Sequence, residues 1–332
     1  MILACDAGGT KTILALYDYD NDKLTEVKYE KFSSREYNSF QEIISEFLSG
    51  INTPITAGVA GIAGPIVDGI CRSTNLSWGD LDERVIGKDT GIPRFKLVND
   101  LVATASAVPF LKNDDLDVVH KGGAERVKER VFVIAPGTGL GNALIVYSED
   151  GDFQVIPSEA GHMDFAPRND LEAEMLAYLS KKYKRVSIER IASGLGIPNI
   201  YEFLVNTGYA KVTDAVAAEL QPEGTDASAV ISKYGMAGTD PVCVKAMELF
   251  VAVLAAHAGN MVLALTAQGG VYLGGGIPPK ISSLIHTENF ISAYTAKGRL
   301  SYLVENTPVY MIKDSEAALH GAAHIARKLS LF

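Results

Sequence analysis

Three glycine-rich turns, four carboxylates and one histidine are the parts of this chain whose types and spacing suit chemistry. The turns are Asp6-Ala7-Gly8-Gly9-Thr10, Gly137-Thr138-Gly139-Leu140-Gly141 and Gly274-Gly275-Gly276. Glycine lets a backbone approach an anion closely, and successive N–H groups then cradle phosphate oxygens. For any one of these turns alone, a tight hairpin is the plainer reading. Leu97-Val98-Asn99-Asp100 places two polar residues at the end of an apolar run, where open α/β sheets put ligand groups. An aspartate there can take the proton of a hydroxyl that attacks phosphorus, or it can simply cap a helix. Glu159 and His162 stand three apart around Gly161; such a pair can ligate metal, act as base and orienter, or bind a polyhydroxy ligand. No cysteine lies near them to complete a zinc site. Glu189 adjoins Arg190, its default ion-pair partner. Asp6 reads either as a turn residue or as a water-mediated contact to Mg²⁺, an ion that takes one or two carboxylates plus phosphate oxygens.

Two nucleotide signatures are excluded. No G-x-x-x-x-G-K-[ST] loop occurs, and the residues after Thr10 read as strand. A dinucleotide fingerprint starting at Gly137 fails at its sixth position, which is Asn142. The kinase H-R-D motif is absent. What the pattern leaves is phosphate held by hairpin turns in two halves of the molecule.

The elements that must position these residues alternate between strands and helices, which indicates an α/β protein. Strands are predicted over 2–5, 12–17, 55–59, 95–98, 131–135, 143–147 and 270–273. Helices are predicted over 39–48, 101–108 (with Asn99 or Asp100 as cap), 170–182, 198–206, 242–266 and 316–329. Residues 212–238 show no clear period. No solenoid repeat or linker is evident, yet each half holds a strand, a glycine turn and a second strand.

The chain has 332 residues, about twice the usual 150-residue domain, so two domains or one large one are expected. Thirty Lys and Arg against forty Asp and Glu give a formal net charge of −10, which argues against a general nucleic-acid binder. The three cysteines, Cys5, Cys71 and Cys243, form neither a disulfide framework nor a zinc site, and a reduced cytoplasm is the expected compartment. Met1 leads straight into the first strand, with no basic segment of a signal peptide. Residues 249–279 lack Asp, Glu, Lys and Arg, but His257, Asn260, Gln268 and the third glycine turn interrupt them. A buried helix and strand are expected there, rather than a membrane span.

Taken in order, the motifs resemble the bacterial-type glucokinase family, within the hexokinase/actin/Hsp70 ATPase superfamily. Residues 6–10 look like its first phosphate motif, 97–101 like the strand end with its catalytic Asp, and 137–141 like its second phosphate motif. Residues 158–167 are similar to its sugar-binding segment, 189–194 to the segment with its last sugar-binding Glu, and 269–277 to its adenosine-side motif. Ala160 stands where a second Gly is common, and Ala135-Pro136 precede the second phosphate turn in place of a polar residue. The related repressor/open-reading-frame/kinase family carries a cysteine-rich zinc motif after its Glu-x-Gly-His. It is missing here, so the resemblance makes His162 a sugar contact.

The resemblance implies a two-domain actin-like ATPase (ribonuclease H-like) fold with an interdomain cleft, divided into 1–110 plus 314–332 and 111–313. It implies ATP-dependent phosphorylation of the 6-hydroxyl of glucose, a step of glycolysis, with ATP and Mg²⁺ as cofactors and a homodimer as the assembly. Asn99, Asp100, Glu159, His162 and Glu189 would contact the hexose, with Asp100 as general base. Gly8, Gly9, Thr10, Thr138 and Gly139 would face the nucleotide phosphates, Gly275 and Gly276 the adenosine, and Asp6 the Mg²⁺ through water. The alternatives are a broader hexose or N-acetylhexosamine kinase and an actin- or Hsp70-like ATPase with no sugar acceptor. A sugar-responsive DNA-binding regulator is disfavoured, because Asp6 already belongs to the first turn and leaves no room for a helix-turn-helix ahead of it. No nucleic-acid or membrane partner is expected.

Overall fold

The computed structural model describes residues 1–20, 23–72, 78–123 and 128–332. The chain divides into two compact units, Met1–Lys112 with Asp314–Phe332, and Asn113–Lys313.

The first unit opens with β1 (Ile2–Ala7), β2 (Lys11–Asp20), β3 (Lys23–Ser33), α1 (Phe40–Phe47) and β4 (Ala57–Ile62). A small antiparallel sheet of β5 (Ile66–Val67), β6 (Ile70–Cys71) and β7 (Leu81–Asp82) follows, then α2 (Glu83–Thr90), β8 (Phe95–Asn99) and α3 (Asp100–Ala107). The main sheet has the order β3-β2-β1-β4-β8. β1 pairs in parallel with β4, and β4 with β8, whereas β1–β2 and β2–β3 are antiparallel. The period-2 alternation of β1 explains how both faces are covered. Leu3 and Cys5 pack into a cluster with α1 residues such as Phe40 and Phe47, while Ile2 and Ala4 face a second cluster with Leu319 and Ala322. Helix α1 starts where Ser39 accepts the Glu42 N–H at 3.2 Å, and its buried face is Phe40, Ile43, Ile44 and Phe47. β3 has no counterpart in the sequence reading. Its run Lys-Leu-Thr-Glu-Val-Lys-Tyr-Glu-Lys-Phe-Ser is mostly exposed, a charged edge strand without an apolar signal.

The second unit contains β9 (Leu116–His120), β10 (Val131–Pro136), β11 (Leu140–Tyr147), β12 (Phe153–Ser158), α4 (Asp170–Tyr183), α5 (Gly196–Asn206), α6 (Asp214–Leu220) and α7 (Ala227–Ala237). It continues through α8 (Pro241–Leu265), β13 (Gly270–Leu273), α9 (Ser282–Ile285), α10 (Glu288–Thr295), α11 (Ser301–Glu305) and β14 (Val309–Ile312). The chain then returns to the first unit as α12 (Ala317–Leu329). The second sheet has the order β12-β11-β10-β13-β14-β9. From β12 to β14 its pairings run antiparallel, antiparallel, parallel, parallel, the same succession as β3 to β8. Two copies of one plan thus place a glycine turn after the first strand of each sheet's β-hairpin.

Residues 212–238, without clear period in the sequence, form α6 and α7, the latter capped by Asp226 and closed by Gly238 in the left-handed region (φ 68°). α8 is long and apolar enough to cross a membrane by length and composition, but most of it is buried in the core of the second unit. Its N-terminus is fixed by Asp240, fully buried, whose carboxylate accepts the N–H groups of Val242 and Cys243 at 2.9 Å and that of Thr213 at 2.8 Å. The third glycine turn is not a hairpin: it leads from β13 into a 3-10 turn at Pro278–Ile281.

Candidate functional site

In the first unit the predicted residues sit at the C-terminal ends of parallel strands. Asp6 is the penultimate residue of β1, and Asn99 ends β8. The turn after β1 is closed by the Gly8 N–H donating to the Lys11 carbonyl at 3.0 Å. It is braced from β2 and the end of β3: the Ser34 hydroxyl donates to the Gly8 carbonyl at 2.6 Å and lies 2.9 Å from the buried Thr12 hydroxyl. The Ser34 N–H donates to the Thr10 carbonyl at 3.0 Å, and the Thr10 side chain is exposed.

Asn99 is the helix cap of α3. Its Oδ1 accepts the Leu101 N–H at 2.9 Å, while its Nδ2 donates to the Gly64 carbonyl at 3.1 Å. Asp100 is the first residue of α3, with Oδ1 2.8 Å from the same Leu101 nitrogen. Burial raises the Asp100 pKa above the usual carboxylate value, opposed by the Leu101 amide. Burial also pushes Asp6 up to about 6, with the charges of Asp100 and Glu316 adding and Lys11 opposing. The first unit thus holds two carboxylates at strand ends that are costly to ionise. Sequence reasoning missed Glu316, just before α12, which accepts from Tyr29 and pairs with Lys31 at 3.3 Å; no motif surrounds it.

In the second unit the turn between β10 and β11 is the hub. The Gly137 N–H donates to the Gly139 carbonyl at 2.9 Å, and the Gly194 N–H donates to the Gly137 carbonyl at 2.7 Å. Glu189 reaches the same turn, with Oε2 accepting the Leu140 N–H at 2.9 Å. Glycine is required at 139 for this approach, since a Cβ there would lie 2.7 Å from Glu189 Oε2. Glu189 therefore does not take its sequence neighbour as partner; the Arg190 guanidinium lies 4.3 Å from the centre of the Tyr183 ring.

The segment with Glu159 and His162 packs against Leu140 as well. A Cβ at Gly161 would meet the Leu140 carbonyl at 2.3 Å, and Asn142 Nδ2 donates to that carbonyl at 2.9 Å. Residues 160–162 form a 3-10 turn in which the His162 N–H donates to the Glu159 carbonyl at 2.9 Å. His162 Nε2 stands 3.8 Å from Glu189 Oε1, so residues 27 apart in sequence meet. The Glu159 side chain is exposed at the start of this turn. The two segments are laced together by Ile188 N–H to the Met163 carbonyl (2.9 Å) and by Arg185, which donates to the His162 carbonyl (2.5 Å) and pairs with Asp164 (2.7 Å).

The third turn abuts the second. The Gly274 N–H donates to the Ile134 carbonyl at 2.9 Å, and Gly275, at φ 81°, approaches the Pro136 carbonyl so closely that a Cβ would lie 2.9 Å from it. A Cβ at Gly137 or Gly276 would point into open space, and the Thr138 side chain is exposed. The second unit therefore gathers Thr138, Gly139, Glu159, His162, Glu189, Gly275 and Gly276 around β10, as the first gathers Asp6, Gly8, Gly9, Thr10, Asn99 and Asp100 around β1. The ties through Leu140, Asn142 and Gly194 have no sequence signal, because each depends on backbone groups brought together only by folding. Among the described residues no group of three His, Cys, Asp or Glu side chains is placed to hold a metal ion. The Asp6 and Asp100 carboxylates, whose charges interact in the first unit, are oxygen donors of the kind of which Mg²⁺ takes one or two beside phosphate oxygens.

A family model described as Glucokinase matches residues 3–329. A glucokinase from Nostoc punctiforme is 36% identical over 342 residues, covering 99% of each chain. A crystal structure of a glucokinase from an Antarctic psychrotroph superposes with a TM-score of 0.85 at 29% identity, covering 98% of each chain. A ROK-family glucokinase from Streptomyces griseus, solved with glucose and AMPPNP, superposes with a TM-score of 0.59 at 21% identity, covering 98% of this chain and 99% of its own.

Proposed function

Because the chain belongs to the glucokinase family, we propose that it transfers the γ-phosphoryl group of ATP to the 6-hydroxyl of glucose, with Asp100 as general base. The fold is the two-domain actin-like ATPase fold of that family, and the chain is a hexose kinase. Its first and second units correspond, in this reading, to the family's small and large domains.

The observation that carries the mechanism is the placement of Asp100. It stands at the end of a parallel strand, half-buried, with the Leu101 amide as its hydrogen-bond donor. Burial raises its pKa, which makes the carboxylate a stronger base as it takes the hydroxyl proton. Phosphoryl transfer has a loose transition state, so positioning and charge stabilisation supply most of the rate. Asn99, Glu159, His162 and Glu189 are the remaining hexose contacts in this reading; a ligand rich in hydroxyls needs several fixed acceptors and donors. Gly8, Gly9 and Thr10 present one set of backbone amides to nucleotide phosphate, and Thr138 and Gly139 a second, with Gly275 and Gly276 against the adenosine. Bound Mg²⁺ neutralises charge on the phosphate oxygens, and Asp6 is the residue that would hold it, through water. The free, buried thiols of Cys5, Cys71 and Cys243 agree with a cytoplasmic enzyme.

The test is turnover of ATP by the purified chain, with and without a hexose panel, following both ADP and sugar phosphate. Glucose is expected to accelerate ADP release and to yield glucose 6-phosphate stoichiometrically. Equal ADP release without sugar would assign a hydrolytic ATPase instead. Preference for mannose or an N-acetylhexosamine would move the acceptor.

A further inference from the structure

We infer that Glu189 links the two substrates: the carboxylate read above as a hexose contact also holds the second phosphate turn, so hexose binding there sets that turn's affinity for nucleotide phosphate. The inference rests on the hexose reading of Glu189 and adds a second role to it. One carboxylate oxygen, Oε2, accepts the Leu140 N–H at 2.9 Å and lies where a Cβ on Gly139 would be only 2.7 Å away. The other, Oε1, faces His162 Nε2 at 3.8 Å. The backbone that carries Glu189 is held against the same turn. The Ser193 hydroxyl donates to the Glu189 carbonyl at 2.7 Å, the Gly194 N–H donates to the Gly137 carbonyl at 2.7 Å, and the Ser228 hydroxyl donates to the Gly194 carbonyl at 2.5 Å. The backbone of Glu189 cannot shift without moving the turn or breaking these bonds, and its carboxylate stays tied to the turn through Leu140.

Two consequences follow for an anion approaching residues 137–140. The Leu140 amide is already occupied, and a negative charge lies beside Gly139, where like charge opposes phosphate. Hydroxyls of a hexose donating to Oε1 would spread that charge and weaken its hold on Leu140. Nucleotide phosphate then meets less repulsion and a freer donor. Coupling of binding free energies is reciprocal, so nucleotide must tighten hexose by the same factor.

The test is calorimetric titration of the full chain with Mg²⁺ and AMPPNP, with and without saturating glucose, for the wild type and Glu189→Gln. Glutamine keeps the size and the acceptor for Leu140 but carries no charge. Glucose is expected to tighten AMPPNP binding to the wild type about fivefold or more, within the usual range of coupling between sites. Glu189→Gln without glucose should bind AMPPNP about as tightly as the wild type with glucose, and respond to glucose by less than about twofold. If the variant keeps wild-type AMPPNP affinity without glucose and still responds fully to it, the coupling lies elsewhere and the inference is overturned. Glucose affinity measured without nucleotide separates the two readings. If it is unchanged in the variant, Glu189 is not a hexose contact and both fail; if it is weakened while the coupling persists, only the linkage fails. Should Glu189→Gln not fold, the wild type alone decides, since no effect of glucose on AMPPNP affinity overturns the inference.

Discussion

Replacing Asp100 by asparagine separates the proposed general-base role from helix capping, because the neighbouring Asn99 also serves the first turn of α3. Asn99 is the cap of α3, and both its Oδ1 and Asp100 Oδ1 lie within 2.9 Å of the Leu101 nitrogen. An asparagine at 100 keeps an oxygen for that amide, so the loss of capping should stay below about 1 kcal/mol. The substitution also removes one of the charges that hold Asp6 above the usual carboxylate range, which offsets part of that loss. Proton abstraction suffers instead: asparagine can still accept from the 6-hydroxyl but cannot take its proton at neutral pH. General-base assistance is typically worth about 10²–10⁴ in rate, or about 3–5 kcal/mol of barrier. The expected result is a fall in kcat of at least about 10², with Tm nearly unchanged and glucose affinity by calorimetry weakened far less. A coupled assay of glucose 6-phosphate at saturating ATP and glucose reads kcat directly. A folded variant within about tenfold of wild-type kcat would show that Asp100 is not the base.

Other expectations follow from the same geometry. Glu159→Gln should lower kcat/KM for glucose about 10- to 150-fold, the worth of a hydrogen bond to a charged group, while KM for ATP hardly changes; the reverse pattern would place Glu159 outside the sugar site. Gly321→Ala should destabilise the protein strongly, by about 3 kcal/mol or more, because its Cβ would fall 1.8 Å from the Ala103 backbone oxygen of α3; urea unfolding within about 1 kcal/mol of wild type would contradict that packing. Asp6→Asn should abolish most activity yet stabilise the fold at pH 7. The native carboxyl titrates at about 6 instead of 3.8, so the folded state binds the extra proton and stability falls as pH rises between those values, by up to about 3 kcal/mol. The gain in Tm should therefore be present at pH 7 and vanish near pH 4; an equal gain at both would rule out the ionisation argument.

The glycine turns and the helix start at Asn99 were legible because backbone geometry and capping demand particular residues at particular positions. β1, β8, β10 and β13 were legible as short apolar runs. β3 was not, since eleven residues of an exposed edge alternate charge rather than hydrophobicity. α6 and α7 were hidden because short helices interrupted by Gly, Pro and Asp carry too few turns to show a period. Within the candidate site, the residue types that suit chemistry were visible in the sequence and their partnerships were not. The sequence offers Arg190 to Glu189, whereas folding gives it the Leu140 amide, 49 positions away. The same holds for Ser34 on Gly8 and for Gly321 against α3, each of which joins segments that share no local pattern.

The glycine turns after β1 and β10 occupy equivalent places in two sheets of the same plan, yet they are fastened by different chemistry. The first is held by uncharged groups, the Ser34 and Thr12 hydroxyls and the Lys11 carbonyl. Its neighbouring carboxylates, Asp6 and Asp100, are instead held at strand ends where burial opposes their ionisation. A fold tolerates that cost where the surrounding core is rigid, and here both faces of the β1 sheet are packed. The second turn is held by the Glu189 carboxylate, whose other oxygen stands 3.8 Å from His162 Nε2. A repeat of one plan has thus been divided: one copy holds its turn with uncharged groups beside carboxylates that are costly to ionise, and the other holds its turn with a carboxylate. In the proposed reading, that division puts the general base on the first copy and the contact that responds to hexose on the second.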